Sequence, residues 1–339
     1  MGVGVSIVML LMSSLGSAAV PEAVAALEEG LMHAESGQLQ AAQKSYGRAL
    51  SIDAGFERAR INLGIIEILL GKVSSGLARC EQALKAEPGA AKAHYCVGLA
   101  RVRQKKNDEA ALAFTKSIEL FREDPMPKLE LAHLHRQAKR WKEAVELYRD
   151  AVRKRPDDPS LHVHLGYCYK QLGDWVAAEV EYRKAVQKDP TSFFGHLNLG
   201  VVLVRNDKDE EAQPHYETAA ELDPAAAEPH FNLGNLHRRN GRLEEALASY
   251  KKAVELAPKA SDHHLELART YWRLGKRTEA RASLAEARKV ASGSESATVE
   301  KLAEQVEKYP VAPATVTRSR PTVVKKPEET KPVSRTPEP

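Results

Sequence analysis

Along the chain, apolar residues recur at steps of three and four in paired runs. One pair is Phe231, Leu233 and Leu236 followed by Leu243, Ala246, Leu247, Tyr250 and Val254. That spacing places each run on one face of an α-helix. Between the runs stand Asn240 and Gly241, which suit the left-handed residue that stops a helix, and Pro258 closes the second run because it cannot continue one. The pattern predicts a helical hairpin.

The hairpin repeats. Steps of 34 residues from Gly234 land on Gly30, Gly64, Gly98, Ala132, Gly166, Gly200 and Ala268. The same step from Ala246 gives Ala42, Gly76, Ala110, Ala144, Ala178, Ala212 and Ala280, and from Tyr250 it gives Tyr46, Cys80, Phe114, Tyr148, Tyr182, Tyr216 and Leu284. Pro88, Pro156, Pro190, Pro224 and Pro258 close five of the units. Small residues at two of these positions let helices approach closely, and the aromatic series fills the space beside them. One hairpin cannot bury its apolar faces alone, so the units must stack.

The order L-G-x2-Y, then A-x3-F/Y, then P at this period resembles the tetratricopeptide repeat, with "HVHLGYCY", "AAEVEY" and Pro190 matching it well. His94, His162, His196, His230 and His264 stand where that family often has Trp, and read as packing residues. The resemblance covers 23–294 as eight repeats beginning at 23, 57, 91, 125, 159, 193, 227 and 261. It implies an all-α, right-handed superhelical solenoid whose first helices line a concave groove for extended peptides or partner helices. After it, Val299, Leu302, Val306 and Tyr309 suit a capping helix over 295–309. Residues 310–339 hold seven prolines and no apolar period, and read as a disordered tail.

Composition narrows the function. A net charge of +4 is small beside 50 Lys and Arg and 46 Asp and Glu, so no global field points to nucleic acid or an anionic membrane. Residues 1–20, "MGVGVSIVMLLMSSLGSAAV", resemble a secretory signal with cleavage after Ala18 or Ala19; a retained membrane anchor is the alternative. The expected location is therefore periplasmic or secreted if the source is bacterial, with a membrane-anchored or cytoplasmic location as the alternative and membrane contact only through that leader. Cys80, Cys96 and Cys168 read as buried free thiols, or, for the first two, as a bridge in an oxidising compartment.

Catalytic chemistry is hard to place. His133 with His135 and His162 with His164 have metal-ligand spacings, but no third ligand is evident. Glu210-Glu211 and Glu244-Glu245 open second helices, where carboxylates complement the helix dipole. No glycine-rich phosphate loop or nucleophile elbow is present, so neither enzyme activity, metal nor cofactor is expected.

What remains is the inner arc of each first helix. In the first three repeats it carries Val24, Leu27, Leu31, Ile61, Ile65, Ile68, Leu69, Tyr95, Leu99 and Val102, which predicts an apolar half-groove. Later repeats contribute Arg136, Tyr167, Lys170, Phe194, Arg205, Phe231, Asn235, Arg238, Arg239, Arg269, Trp272 and Arg273, with Asn62, Asn198 and Asn232 at its edge. Asn can bond a peptide backbone through both amide atoms, and interleaved aromatics supply anchors. The expected function is a non-enzymatic scaffold or adaptor that binds an extended, acidic protein segment, with a role in assembling a cell-envelope or secreted complex. A regulatory or docking subunit for a separately encoded enzyme is the other reading.

Overall fold

The computed structural model describes residues 20–309 and 311; the expected leader and most of the expected tail lie outside these. The described residues form seventeen α-helices and no strands. They fall into two compact units divided at Pro224 and Ala225.

The first unit holds α1 (Pro21–Glu35), α2 (Leu39–Ile52), α3 (Glu57–Leu69), α4 (Val73–Ala86), α5 (Ala91–Arg103) and α6 (Asn107–Leu120). It continues with α7 (Pro125–Gln137), α8 (Trp141–Lys154), α9 (Pro159–Gln171), α10 (Trp175–Lys188), α11 (Phe193–Arg205) and α12 (Asp209–Leu222). The second unit holds α13 (Glu228–Arg239), α14 (Leu243–Leu256), α15 (Ser261–Arg273), α16 (Arg277–Val290) and α17 (Ser294–Lys308). Second helices begin every 34 residues from Leu39 to Arg277. Within each unit every helix packs on its chain neighbour, and α3 with α5, α9 with α11 and α15 with α17 also touch. The fold is therefore all-α, a stack of helical hairpins in each unit.

The hairpin turns show why the register holds. Gly37, Gly71, Lys105, Lys139, Gly173, Asp207, Gly241 and Gly275 all adopt positive φ and stand 34 residues apart. At Gly241 the amide donates to the Arg238 carbonyl at 3.2 Å and the next amide, of Arg242, to His237 at 2.9 Å, which satisfies carbonyls the helix end leaves open. Inside each hairpin the small residue of the first helix faces the aromatic of the second. A Cβ added at Gly234 would lie 2.5 Å from Tyr250 Cε1, and one at Gly30 the same distance from Tyr46 Cε1. The tyrosines are fully buried and packed at that contact.

The structure decides between the two cysteine readings and adds to the histidine one. Cys80 and Cys96 form a disulfide, with Cα atoms 6.0 Å apart, joining α4 to α5; only Cys168 is free, and it is buried. The first two are therefore not buried free thiols. The histidines in the Trp slot also do more than pack. His94, His162, His196 and His264 each place Nε2 2.8–3.1 Å from the carbonyl oxygen of Pro88, Pro156, Pro190 and Pro258, six residues earlier. Each ring thus latches the loop that enters its own helix, and a proline carbonyl serves as the acceptor.

Helix α17 completes the second unit. Val299, Leu302 and Val306 are buried on the preceding hairpin. Arg277 donates to the Val306 carbonyl at 2.8 Å and also to that of Glu307, so a side chain from α16 satisfies the end of α17.

Inner faces of the repeats as the candidate functional site

In the first unit, the inner positions of α7, α9 and α11 bring Arg136, Tyr167, Lys170 and Asn198 together. The Arg136 guanidinium lies 5.9 Å from the Tyr167 ring centre and Lys170 Nζ 5.0 Å from it, so the ring is in reach of two cations. Lys170 Nζ donates to Asn198 Oδ1 at 2.7 Å, and Asn198 Nδ2 donates back to the Phe194 carbonyl at 2.8 Å. Trp141, at the start of α8, meets Tyr167 edge-on at 5.9 Å. Further along, the Arg205 guanidinium stands 5.2 Å over Trp175, the equivalent residue of α10. Phe194 is 63 % exposed, which leaves an aromatic face open beside Asn198.

Among the described residues no carboxylate lies within ion-pair distance of Arg136, Lys170 or Arg205. Burial holds the Lys170 ammonium below its ordinary pKa, as expected for a cation that lacks a counter-charge. Deeper in the same face, His133 and His164 meet edge-on at 5.2 Å, and both rings lie within 5.7 Å of the buried Tyr148 ring. Burial first, then each other's proximity and that of Arg136, push His133 down to about 4; burial and Arg136 do the same to His164. Both histidines are therefore neutral hydrogen-bonding groups near pH 7.

The second unit is wired differently. Arg238 donates to Tyr250 Oη at 3.2 Å and lies 3.4 Å from Glu266, which also stands 3.4 Å from Arg269. Tyr250 in turn donates to Asn235 Oδ1 at 2.8 Å. Phe231 stacks on His263 at 4.6 Å. Arg239 is exposed, and Asn232 and Arg273 are half-buried. The cations of this unit that face Glu266 already have an internal counter-charge.

Several expected site residues are instead interior. Asn62 and Tyr95 are 1 % and 3 % exposed, enclosed where α3 and α5 pack side by side. Trp272 is 5 % exposed and donates to the Tyr309 carbonyl at 3.0 Å, so the chain after α17 covers it. The expected apolar half-groove is mostly core as well: Leu27, Leu31, Ile61, Ile65 and Ile68 are buried in one cluster. Large aliphatics at these positions fill the gap between adjacent first helices rather than facing outward. Trp141 and Trp175 were missed, although their 34-residue spacing at the start of second helices was visible in the sequence.

An array of helical hairpins with a polar, aromatic-studded inner face is the architecture of an interaction module. Tetratricopeptide repeat models match residues 63–125, 129–193 and 197–261, and a second such model matches 237–299. The chain belongs to the tetratricopeptide repeat family, whose members are typically non-catalytic protein-interaction modules. Among solved structures, it is similar to PilF of Pseudomonas aeruginosa at 18% identity and a TM-score of 0.55, covering 61% of this chain and 95% of that one. The Cut9–Hcn1 hetero-tetramer of the APC/C matches at 18% identity and a TM-score of 0.53, covering 78% of this chain and 52% of that one. YrrB, described as a TPR protein with an unusual peptide-binding site, matches at 25% identity and a TM-score of 0.47 over 56% of this chain and 99% of that one. No curated protein sequence matches the chain.

Proposed function

We propose that this protein-binding scaffold takes an extended, acidic protein segment on the inner face of repeats 4–6, within an exported assembly. One observation carries the reading: Arg136, Lys170 and Arg205 stand in one unit beside Tyr167, Trp175 and Phe194, and their partners there are aromatic rings and an amide. Cations held over aromatic faces without a carboxylate are poised for one supplied by a partner, whereas Arg238 and Arg269 already share Glu266. Each exposed ion pair contributes about 0–1 kcal/mol, so the three must act together. In this proposal residues 23–294 act as eight repeats and 295–309 as their cap. The disulfide supports an oxidising compartment, in keeping with the signal-like leader.

The test is charge reversal. The triple variant Arg136→Glu, Lys170→Glu, Arg205→Glu should lose the crosslinked partner recovered from native cells, with circular dichroism unchanged, while Arg238→Glu with Arg269→Glu should have a smaller effect. Equal recovery by the triple variant and the unaltered protein would remove this face from the function. Amino-terminal sequencing of the protein from an extracytoplasmic fraction tests export.

A further inference from the structure

The inner face of repeats 4 and 5 contains two titratable rings that the proposed contact with an acidic segment does not use. We propose that binding an acidic segment there takes up protons on His133 and His164, so the groove holds its partner more tightly in acid. The inference rests on the reading of this face as an anion-binding groove and adds a regulation that the reading does not require.

The geometry supplies the coupling. His133, on α7, lies in edge contact with His164, on α9, and Tyr148 of α8 closes the third side. The charged and titratable groups facing the pair are Arg136 and Glu130 of α7, Tyr148 of α8 and Asp158 at the cap of α9. Glu130 stands 4.0 Å from His133 Nδ1, and its own carboxyl is pushed up by burial, so it is a weak counter-charge. His133 Nε2 and Arg136 Nε are both buried without a hydrogen-bond partner among the described residues. Each lacks the acceptor that an oxyanion bound beside it would supply.

The direction follows from charge. With the groove empty, a proton on either ring meets the Arg136 cation and a desolvated site, which is why both histidines sit near 4. A carboxylate placed between Arg136 and the rings cancels the first effect and gives the imidazolium an acceptor. Binding therefore raises the histidine pKa, the complex holds more protons than the free protein, and affinity rises as pH falls. If one ring returns to its ordinary value near 6.5, affinity at pH 5.2 exceeds that at pH 7.5 by about twentyfold.

The experiment measures the affinity of the full chain for a rhodamine-labelled ten-residue peptide alternating Asp and Ala. Asp stays ionised at both pH values. Fluorescence anisotropy at pH 7.5 and 5.2 and constant ionic strength should give a Kd roughly twenty times lower in acid. Calorimetry in buffers of different ionisation heat should show net proton uptake. The variant His133→Gln with His164→Gln should lose the acid gain, so that its affinities at pH 7.5 and 5.2 are equal. Binding that is equal at both pH values without proton uptake, or an acid gain unchanged in that variant, overturns the proton linkage alone. No binding at either pH overturns the groove reading itself. Should the double variant not fold, the His133 and His164 ring proton shifts of the unaltered protein decide: both must move to higher pKa when peptide is added.

Discussion

At the scale of single residues, two glycine series serve different physical needs. The turn series requires a left-handed backbone, and Lys105, Lys139 and Asp207 adopt it at φ near +60° without glycine's freedom. The helix series requires space, because Gly234 lies against Tyr250 and Gly166 against Tyr182. Opposite outcomes follow for opposite substitutions. Lys139→Gly should stabilise the fold by about 1 kcal/mol, since the side chain is exposed and only backbone strain is relieved. Gly234→Ala should destabilise it by about 1–3 kcal/mol through overpacking against a ring that is fully buried. Denaturant midpoints of the two variants check both signs; a destabilised Lys139→Gly would show that loop entropy outweighs the strain.

At the scale of elements, repeat 2 is built unlike its neighbours. Cys80 occupies the slot that holds Tyr or Phe in most repeats, and Gly64 faces its sulfur where other repeats face a ring. Gly76 replaces the usual alanine, and a Cβ there would run into the Gly64 carbonyl. Without a ring to fill the contact, α3 and α4 close more tightly and the disulfide ties α4 to α5. Closing a loop of 16 residues should contribute about 3 kcal/mol, so Cys80→Ser with Cys96→Ser should lose roughly that in urea unfolding. A loss under about 1 kcal/mol would place the stability of this element in its packing instead. Elements of this kind mark the limit of what the sequence made legible. Helix positions could be read because the 34-residue step constrains every unit at once, and Gly234 was already a contact residue by that step. The disulfide was legible only as one of two alternatives, because a separation of 16 does not say whether two side chains on consecutive helices face each other. The histidine latches were half visible: each ring follows a proline by six residues, but a carbonyl acceptor leaves no trace in side-chain identity. The groove was the least legible part. Spacing put Arg136 and Arg238 on equivalent positions, and only packing shows that one faces a ring while the other faces Glu266.

At the scale of the whole molecule, charge is nearly balanced in total but the acid response is unevenly placed. The two histidines pushed down to about 4 lie in repeats 4 and 5 of the first unit. A base whose folded pKa lies below its unfolded value of about 6.5 stabilises the fold above that pH and loses the contribution as pH falls toward 4. The full difference would reach about 3 kcal/mol for one such ring, and partial exposure and the repulsion between the two rings make that a ceiling for the pair. Repeats interact chiefly with their neighbours, so the loss should begin locally rather than across the chain. Hydrogen exchange corrected for intrinsic rate should therefore show protection falling first in α7 to α9 between pH 6.5 and 4.5, with α14 to α16 unchanged. The Gln variant of His133 and His164 should keep its protection over the same range. Uniform loss of protection in both units would mean that acid acts through carboxylate pairs shared by all repeats, and that the buried histidines carry little of the stability.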